Sequence, residues 1–229
     1  MIMDTTLKLK ILDEIYAVYE KFAASLDLAC KKYCDHCCTS AVTLTTLEGY
    51  KIIDRLILDS KTDLIQKIGS ISEKNRLRPQ ITTNRLARLC ADGVEPPEEI
   101  GDDNWQNCPI LVDHLCPIYE LRPFGCRCLV SRGHCKENGY AEMDDFILSV
   151  NTVFLQTIEH VDAEGCSGNL VDVLQAMSIL QNRETYRNGK LHCTSNGLLA
   201  NQPLEVLMIP PEHRQRIEPI LQELRQTGH

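Results

Sequence analysis

Apolar residues recur at helical spacing along most of the chain. Over residues 5 to about 28, Leu9, Leu12, Ile15, Tyr16, Tyr19 and Phe22 share one face of a 3.6-residue repeat, which predicts a long amphipathic first helix. Lys31 and Lys32 follow it, where cations suit a helix end. A second helix is expected after Leu44. Thr45 and Glu48 have the offset of a capping box, and Tyr50, Ile53, Leu56 and Ile57 supply its buried stripe. A third runs from about residue 64 to 89, with a break expected before Pro79 because proline disfavours helix in its predecessor. Residues 91–104, rich in Gly, Pro and acidic side chains, read as a loop. Helical patterns resume at residues 143–161, 170–181 and 211–225. Pro211 suits a first helical position, while Pro219 is expected to kink or split the last helix. Residues 41–44, 111–113 and 206–209 are at most short strands. The expected fold is mainly α: a single domain over residues 1–229, with a cysteine-cluster core at about 30–135 and a helical C-terminal part at about 143–229.

A hydrophobic content of 43% over 229 residues excludes general disorder and allows a sizeable core. The net charge of −8 argues against generic binding to a phosphate backbone, so no nucleic-acid partner is expected. No apolar run approaches the roughly 20 residues of a membrane span. The first residues lack the apolar stretch of a secretory signal, which makes the cytoplasm the expected location and a membrane partner unexpected.

Cysteine changes the picture most. There are 12, and they are clustered: four within nine residues (Cys30, Cys34, Cys37, Cys38) and five within 28 (Cys108, Cys116, Cys126, Cys128, Cys135). In a reducing compartment, and in a chain long enough to build its own core, such clusters point to metal rather than to a disulfide framework. Gaps of two or three residues let successive thiolates turn back onto one ion or cluster at low entropic cost. Thiolates are soft ligands that suit Zn²⁺ and Fe–S centres alike, so the cofactor is expected to be one of these two. Pro109 and Pro117 each follow a cysteine and stiffen the chain as it leaves the ligand. Cys34, Cys37, Cys108, Cys116 and Cys126 head the ligand set, joined by Cys30, Cys38 and Cys135. Adjacent Cys37 and Cys38 point apart, so one of them can serve a second site or pack structurally. Cys128 reads as a second-sphere or buried thiol, and Cys90, Cys166 and Cys193 read as buried thiols.

These residues resemble the YkgJ-type cysteine-cluster family, described as zinc- or iron-chelating proteins. Its C-x-x-C-x-x-C-C box followed by V-x-L-T-x-x-E is similar to Cys30–Cys38 with Val42, Leu44, Thr45 and Glu48. Its second half is similar to Cys108-Pro109-Ile110-Leu111, the run from Cys116 to Pro123, and Cys126-Arg127, with Cys135 matching a later cysteine. Here the first gap is three residues rather than two, and Asp35 stands where relatives often carry glycine. The resemblance spans about residues 30–135 and implies metal binding without naming a reaction. A similar cluster in flagellin lysine methylases, described as holding an Fe–S centre, implies the alternative of an Fe–S redox or accessory protein for a modifying enzyme such as a protein methylase. The spacing Cys30-x3-Cys34-x2-Cys37 also fits the radical S-adenosylmethionine triad, but the alternating strands of that fold are missing from the pattern.

Beside the presumed ligands, Arg122 and Arg127 can hydrogen-bond cysteine sulfurs, bind an anion, or pair with Glu120 to fix the loop. Tyr119 is expected in the core. His36, His114 and His134 can complete a mixed coordination shell. The basic run Lys74, Arg76, Arg78, Arg85 and Arg88 reads as a solvated helix face. No phosphate-binding glycine loop and no nucleophile elbow occur, so no catalytic residue is assigned and a protein partner is left open.

Overall fold

The computed structural model describes residues 3–72, 76–98, 106–193 and 197–228. Its architecture is mainly α, with one small sheet. Helix α1 (Thr5–Ala24) buries Ile11, Leu12, Ile15, Tyr16 and Tyr19, with Leu9 and Phe22 packed at the margin. It stops well short of Lys31 and Lys32, which are therefore not its C-terminal cations. Ser25 closes it, turning its amide and hydroxyl back onto the Phe22 carbonyl at 3.0 and 2.6 Å.

Strand β1 (Thr43–Thr45) runs straight into α2 (Thr46–Leu58). The capping box forms: Thr45 Oγ1 accepts from the Glu48 amide at 3.3 Å, and Glu48 Oε2 accepts from the Thr45 amide at 2.8 Å. Tyr50, Ile53 and Leu56 are buried as the spacing suggested, with Leu47 and Ile52 beside them, whereas Ile57 is exposed. The expected third helix is two helices, α3 (Thr62–Ser70) and α4 (Thr83–Ala91). Thr82 starts the second, its hydroxyl accepting from the Arg85 amide at 3.4 Å. Cys90, on α4, is exposed rather than buried. Residues 92–98 form no helix or strand, and the rest of the expected acidic loop, 99–104, lies outside the described residues, as does Lys74.

Two one-turn helices, α5 (Phe124–Arg127) and α6 (Cys135–Asn138), punctuate the second cysteine segment. Then come α7 (Asp145–Val161), β2 (Cys166–Asn169), α8 (Leu170–Ser178), α9 (Leu180–Arg187), β3 (Leu199–Ala200) and α10 (Arg214–Arg225). The pattern at residues 170–181 thus divides at Ile179, whose extended backbone ends α8 and opens α9. Pro219 lies inside an unbroken α10. It sits near the N-terminus, so the bond it forfeits is the one to the Gln215 carbonyl in the first turn, and Ile217, Leu221 and Leu224 keep their buried face.

The sheet is antiparallel in the order β1-β2-β3, with Thr43 opposite Asn169, Leu44 opposite Gly168, and Cys166 opposite Ala200. Its second and third strands had no alternating pattern to reveal them. Residues 206–209 form no strand, and residues 111–113 contribute a single bridge, Val112 to Leu115.

One hydrophobic cluster draws side chains from Ile11 through Leu224, and α2 packs on α8 across Gly49. A Cβ there would stand 2.6 Å from Val173 Cγ1, so the close approach requires glycine. Polar pins cross this core. Fully buried Asp162 accepts from Thr46 Oγ1 (2.7 Å), the Leu47 amide (2.9 Å), Tyr186 OH (2.7 Å) and Asn201 Nδ2 (3.2 Å). Arg76 Nη1 meets Asp172 Oδ1 at 2.5 Å with both side chains 2% exposed, and Arg78 Nε reaches the other oxygen at 3.3 Å. This part of the basic run is therefore an internal clamp on α8, whereas Arg85 and Arg88 are exposed. Cys166 and Cys193 are joined as a disulfide with Cα atoms 5.8 Å apart, where sequence reasoning read two separate thiols. The other ten cysteines are free.

Candidate metal centre

Backbone bonds lace the cysteine segments together. The Cys108 amide donates to the Cys38 carbonyl at 2.8 Å, Ser40 N donates to Gln106 O at 2.8 Å, and Thr39 bridges Asn107. A further strap joins Ala29 N to Ser131 O at 2.9 Å. Tight turns present the thiols between these straps. Tyr33, with φ of 76°, turns the chain between Cys30 and Cys34, and Asp113 and His114, with φ of 48° and 64°, close a two-residue hairpin between Cys108 and Cys116. Positive φ at both central residues is the geometry that matches strand twist in a two-residue hairpin. His114 Nδ1 lies 2.7 Å from Asp35 Oδ2, tying the tips of the two segments together and holding the Asp35 carboxyl below its ordinary range.

Cys30, Cys34, Cys37, Cys38, Cys108, Cys116 and Cys126 all line one cavity of about 270 Å³. Cys135 is not on its wall. It opens α6, beyond Ser131, whose amide donates to Cys30 Sγ at 3.2 Å. Cys128 faces the core, its thiol 3.6 Å from the Gly125 carbonyl and pushed up to about 12 by burial. His36 and His134 are exposed and off the wall, while His114 is on it with its Nδ1 already engaged. Among the described residues, no three His, Cys, Asp or Glu side chains are drawn together closely enough to hold a metal ion as they stand. The thiols surround a space rather than meet at a point.

Their surroundings are adapted to sulfur. Cys108-Pro109-Ile110 and Cys116-Pro117-Ile118 repeat one local design: the proline redirects the chain, and the backbone amide of Ile110 or Ile118 offsets part of the cost of ionising the cysteine. Both isoleucines are buried and anchor the turn. Burial pushes the Cys108, Cys116 and Cys126 thiols up, and for Cys126 the neighbouring sulfurs of Cys108 and Cys116 add to it. Cys37 goes the other way, lowered to about 7 by a hydrogen bond from the Cys38 thiol and, to a smaller extent, by the Arg122 charge.

The scaffold places Cys126 through Glu48. Besides capping α2, Glu48 Oε1 accepts from Tyr16 OH and from the Phe124 amide, both at 2.7 Å, which pins the start of α5 to α1 and α2. Gly125 lets α5 lie against β1, since a Cβ there would stand 2.4 Å from the Thr43 carbonyl. The spacing of Thr45 and Glu48 signalled the cap, but nothing local signalled the second, long-range use of the same carboxylate.

The charged wall differs from expectation. Glu120 pairs with Lys32 at 2.6 Å rather than with either arginine. Arg127 is fully engaged, reaching Glu20 (2.7 Å) and the carbonyls of Arg122 (2.8 Å) and Glu120 (3.0 Å), with its guanidinium 4.4 Å from the Tyr16 ring. Tyr119 lines the cavity instead of entering the core, and the Arg122 guanidinium stacks on it at 4.2 Å. Arg122 Nε is buried without a hydrogen-bond partner. Soft donors in number, an amide bonded to sulfur and a guanidinium with a free buried N–H are together what an anionic thiolate–metal group would use. Comparison with models of known families, with curated proteins and with solved structures finds no match to this chain.

Proposed function

We propose that this chain is a metal-binding protein of the cysteine-cluster type. Its centre, an Fe–S cluster or zinc, is held by Cys37, Cys38, Cys108, Cys116 and Cys126, with Cys30 and Cys34 at the rim and Cys135 just outside. The observation that carries the reading is the gathering of seven thiols, from three separate stretches of chain, on the wall of one cavity. A lone free cysteine packs as a small hydrophobe, but clustered thiols each make ionisation of the next less favourable, and a bound cation reverses that penalty. The motif resemblance to cysteine-cluster proteins points the same way. The spread of the sulfurs around a space favours a polynuclear Fe–S cluster over a single tetrahedral zinc, whose sulfurs converge to about 2.3 Å from the ion. That choice makes redox or accessory service to a modifying enzyme the leading biological role.

A cytoplasmic location belongs to the same reading, since ten of the cysteines are free, as a reducing compartment requires. Among the described residues no helix is long and apolar enough to cross a membrane. The Cys166–Cys193 disulfide points the other way, and trapping its redox state in cells by rapid alkylation separates the two locations.

The central test is purification without oxygen, followed by visible absorbance and by iron, zinc and acid-labile sulfide on one sample. Iron and sulfide in near-equal amounts are expected, with both lost in Cys108→Ser and Cys126→Ser and retained in Cys90→Ser. Zinc without sulfide would replace the cluster by a zinc centre. Wild-type protein that takes up neither metal, or serine variants that load like wild type, would reject the reading.

A further inference from the structure

We infer that Arg122 is a positioning residue of the thiolate centre, its guanidinium donating hydrogen bonds to the sulfurs of the anionic group held in the cavity. This role presupposes the metal reading above. Among the described residues the buried side-chain nitrogens and oxygens without a partner are two, Ser40 Oγ and Arg122 Nε. A single hydroxyl tolerates that state more easily than a cationic group does, because an unsatisfied buried donor costs more when it is charged.

The surroundings hold Arg122 in place without satisfying it. Pro123 follows it, its carbonyl is fixed by Arg127 Nε at 2.8 Å, and Tyr119 supports the face of the guanidinium at 4.2 Å. Stacking leaves the edge N–H groups free to donate in the plane. The acids of the wall are otherwise occupied, Glu20 by Arg127 and Asp35 by His114, and nearby Glu120 pairs with Lys32. Thiols remain. Arg122 lines the same cavity as Cys37 and Cys116, which lie on different segments. Four thiolates on a divalent ion, or on a cluster, leave a net negative charge, which a preset guanidinium both offsets and orients.

Full-length Arg122→Met and Arg122→Lys test this, each examined by thermal melting and by the rate of metal release to a chelator, metal-free and metal-loaded. Arg122→Met is expected to melt at or above wild type when metal-free, because it removes an unpaired buried donor. When loaded it is expected to release metal roughly tenfold faster, the lower range for loss of an outer-shell partner. Arg122→Lys keeps the charge but not the planar fork and should fall between. For an Fe–S centre, the midpoint potential of Arg122→Met should also drop, since hydrogen bonds to sulfur raise it. An equal loss of melting temperature in both forms would mean that Arg122 merely packs on Tyr119, and unchanged release and potential would also overturn the role. Wild type that loads no metal overturns both proposals, whereas wild type and Arg122→Met that load and release alike overturn this one alone.

Discussion

Asp162 and half-buried Arg122 each hold a polar side-chain atom away from water, and the protein treats the two in opposite ways. Asp162, at the end of α7, receives hydrogen bonds from α2, α9 and the stretch after β3, so four parts of the chain are ordered around one carboxylate. Arg122, on the cavity wall, keeps a buried N–H without a partner. The helical scaffold satisfies its own buried charges, as a stable core must. The cysteine cavity does not, and it also crowds thiols that raise one another's ionisation cost. That contrast separates a region built to be stable by itself from one built around chemistry that the chain does not supply alone.

The strongest way to break the comparison is Asp162→Ala. It strands the Thr46, Leu47 and Tyr186 donors at once, so a loss of about 3–5 kcal/mol is expected in denaturant melts of metal-free protein. A loss below about 1 kcal/mol would show that the scaffold does not depend on this pin. Next in size is the disulfide. Replacing Cys166 and Cys193 with alanine frees a loop spanning 27 positions, and about 2–4 kcal/mol should be lost under oxidising conditions and nothing measurable in reductant. Metal loading should be unchanged by it, because neither residue lines the cavity.

Gly125→Ala sharpens the comparison by striking where the two regions join. The added methyl would meet the Thr43 carbonyl at 2.4 Å, so α5 must shift. A stability loss of about 1–3 kcal/mol is expected, together with reduced metal content because Cys126 moves with the helix. The smallest effect is pH. Burial pushes the Asp162 carboxyl up to about 6 from an ordinary 3.8. The folded state therefore holds this proton more tightly than the unfolded state. The stability it contributes is fully present below about 3.8, declines as pH rises to about 6 and is level above that. Melting temperature of metal-free protein should fall between pH 4.5 and 6.5 along this limb, and Asp162→Asn should flatten it. A melting temperature that rises across that interval would contradict the assignment.

Helices were legible where their signals are local. The apolar period of α1, the Thr45–Glu48 capping box and the Pro211 start of the 3-10 turn that leads into α10 all depend on residues within a few positions of one another. Errors came where partners are distant. Ile57 fits the stripe of α2 on spacing, yet the neighbouring helices leave it in solvent. Residues 166–169 show no alternation because both faces of β2 are occupied by the fold, and its pairing with β1 crosses more than 120 positions. Arg76 looked like a solvated cation because Asp172 lies far along the chain.

The cysteine region divides in the same way. Residue type and spacing alone identify a soft-ligand chemistry and single out the turns that can present it, because those properties follow from thiol character and short-loop closure. Tertiary structure decided that Cys30, Cys34, Cys37, Cys38, Cys108, Cys116 and Cys126 share one wall while Cys135 stands beyond it and Cys128 turns into the core. It decided that Cys166 meets Cys193, and that Glu48 reaches from its cap to the start of α5. Above all it decided which buried polar groups are satisfied. That property belongs to no residue or motif, since a hydrogen bond is made only when packing brings its two ends together.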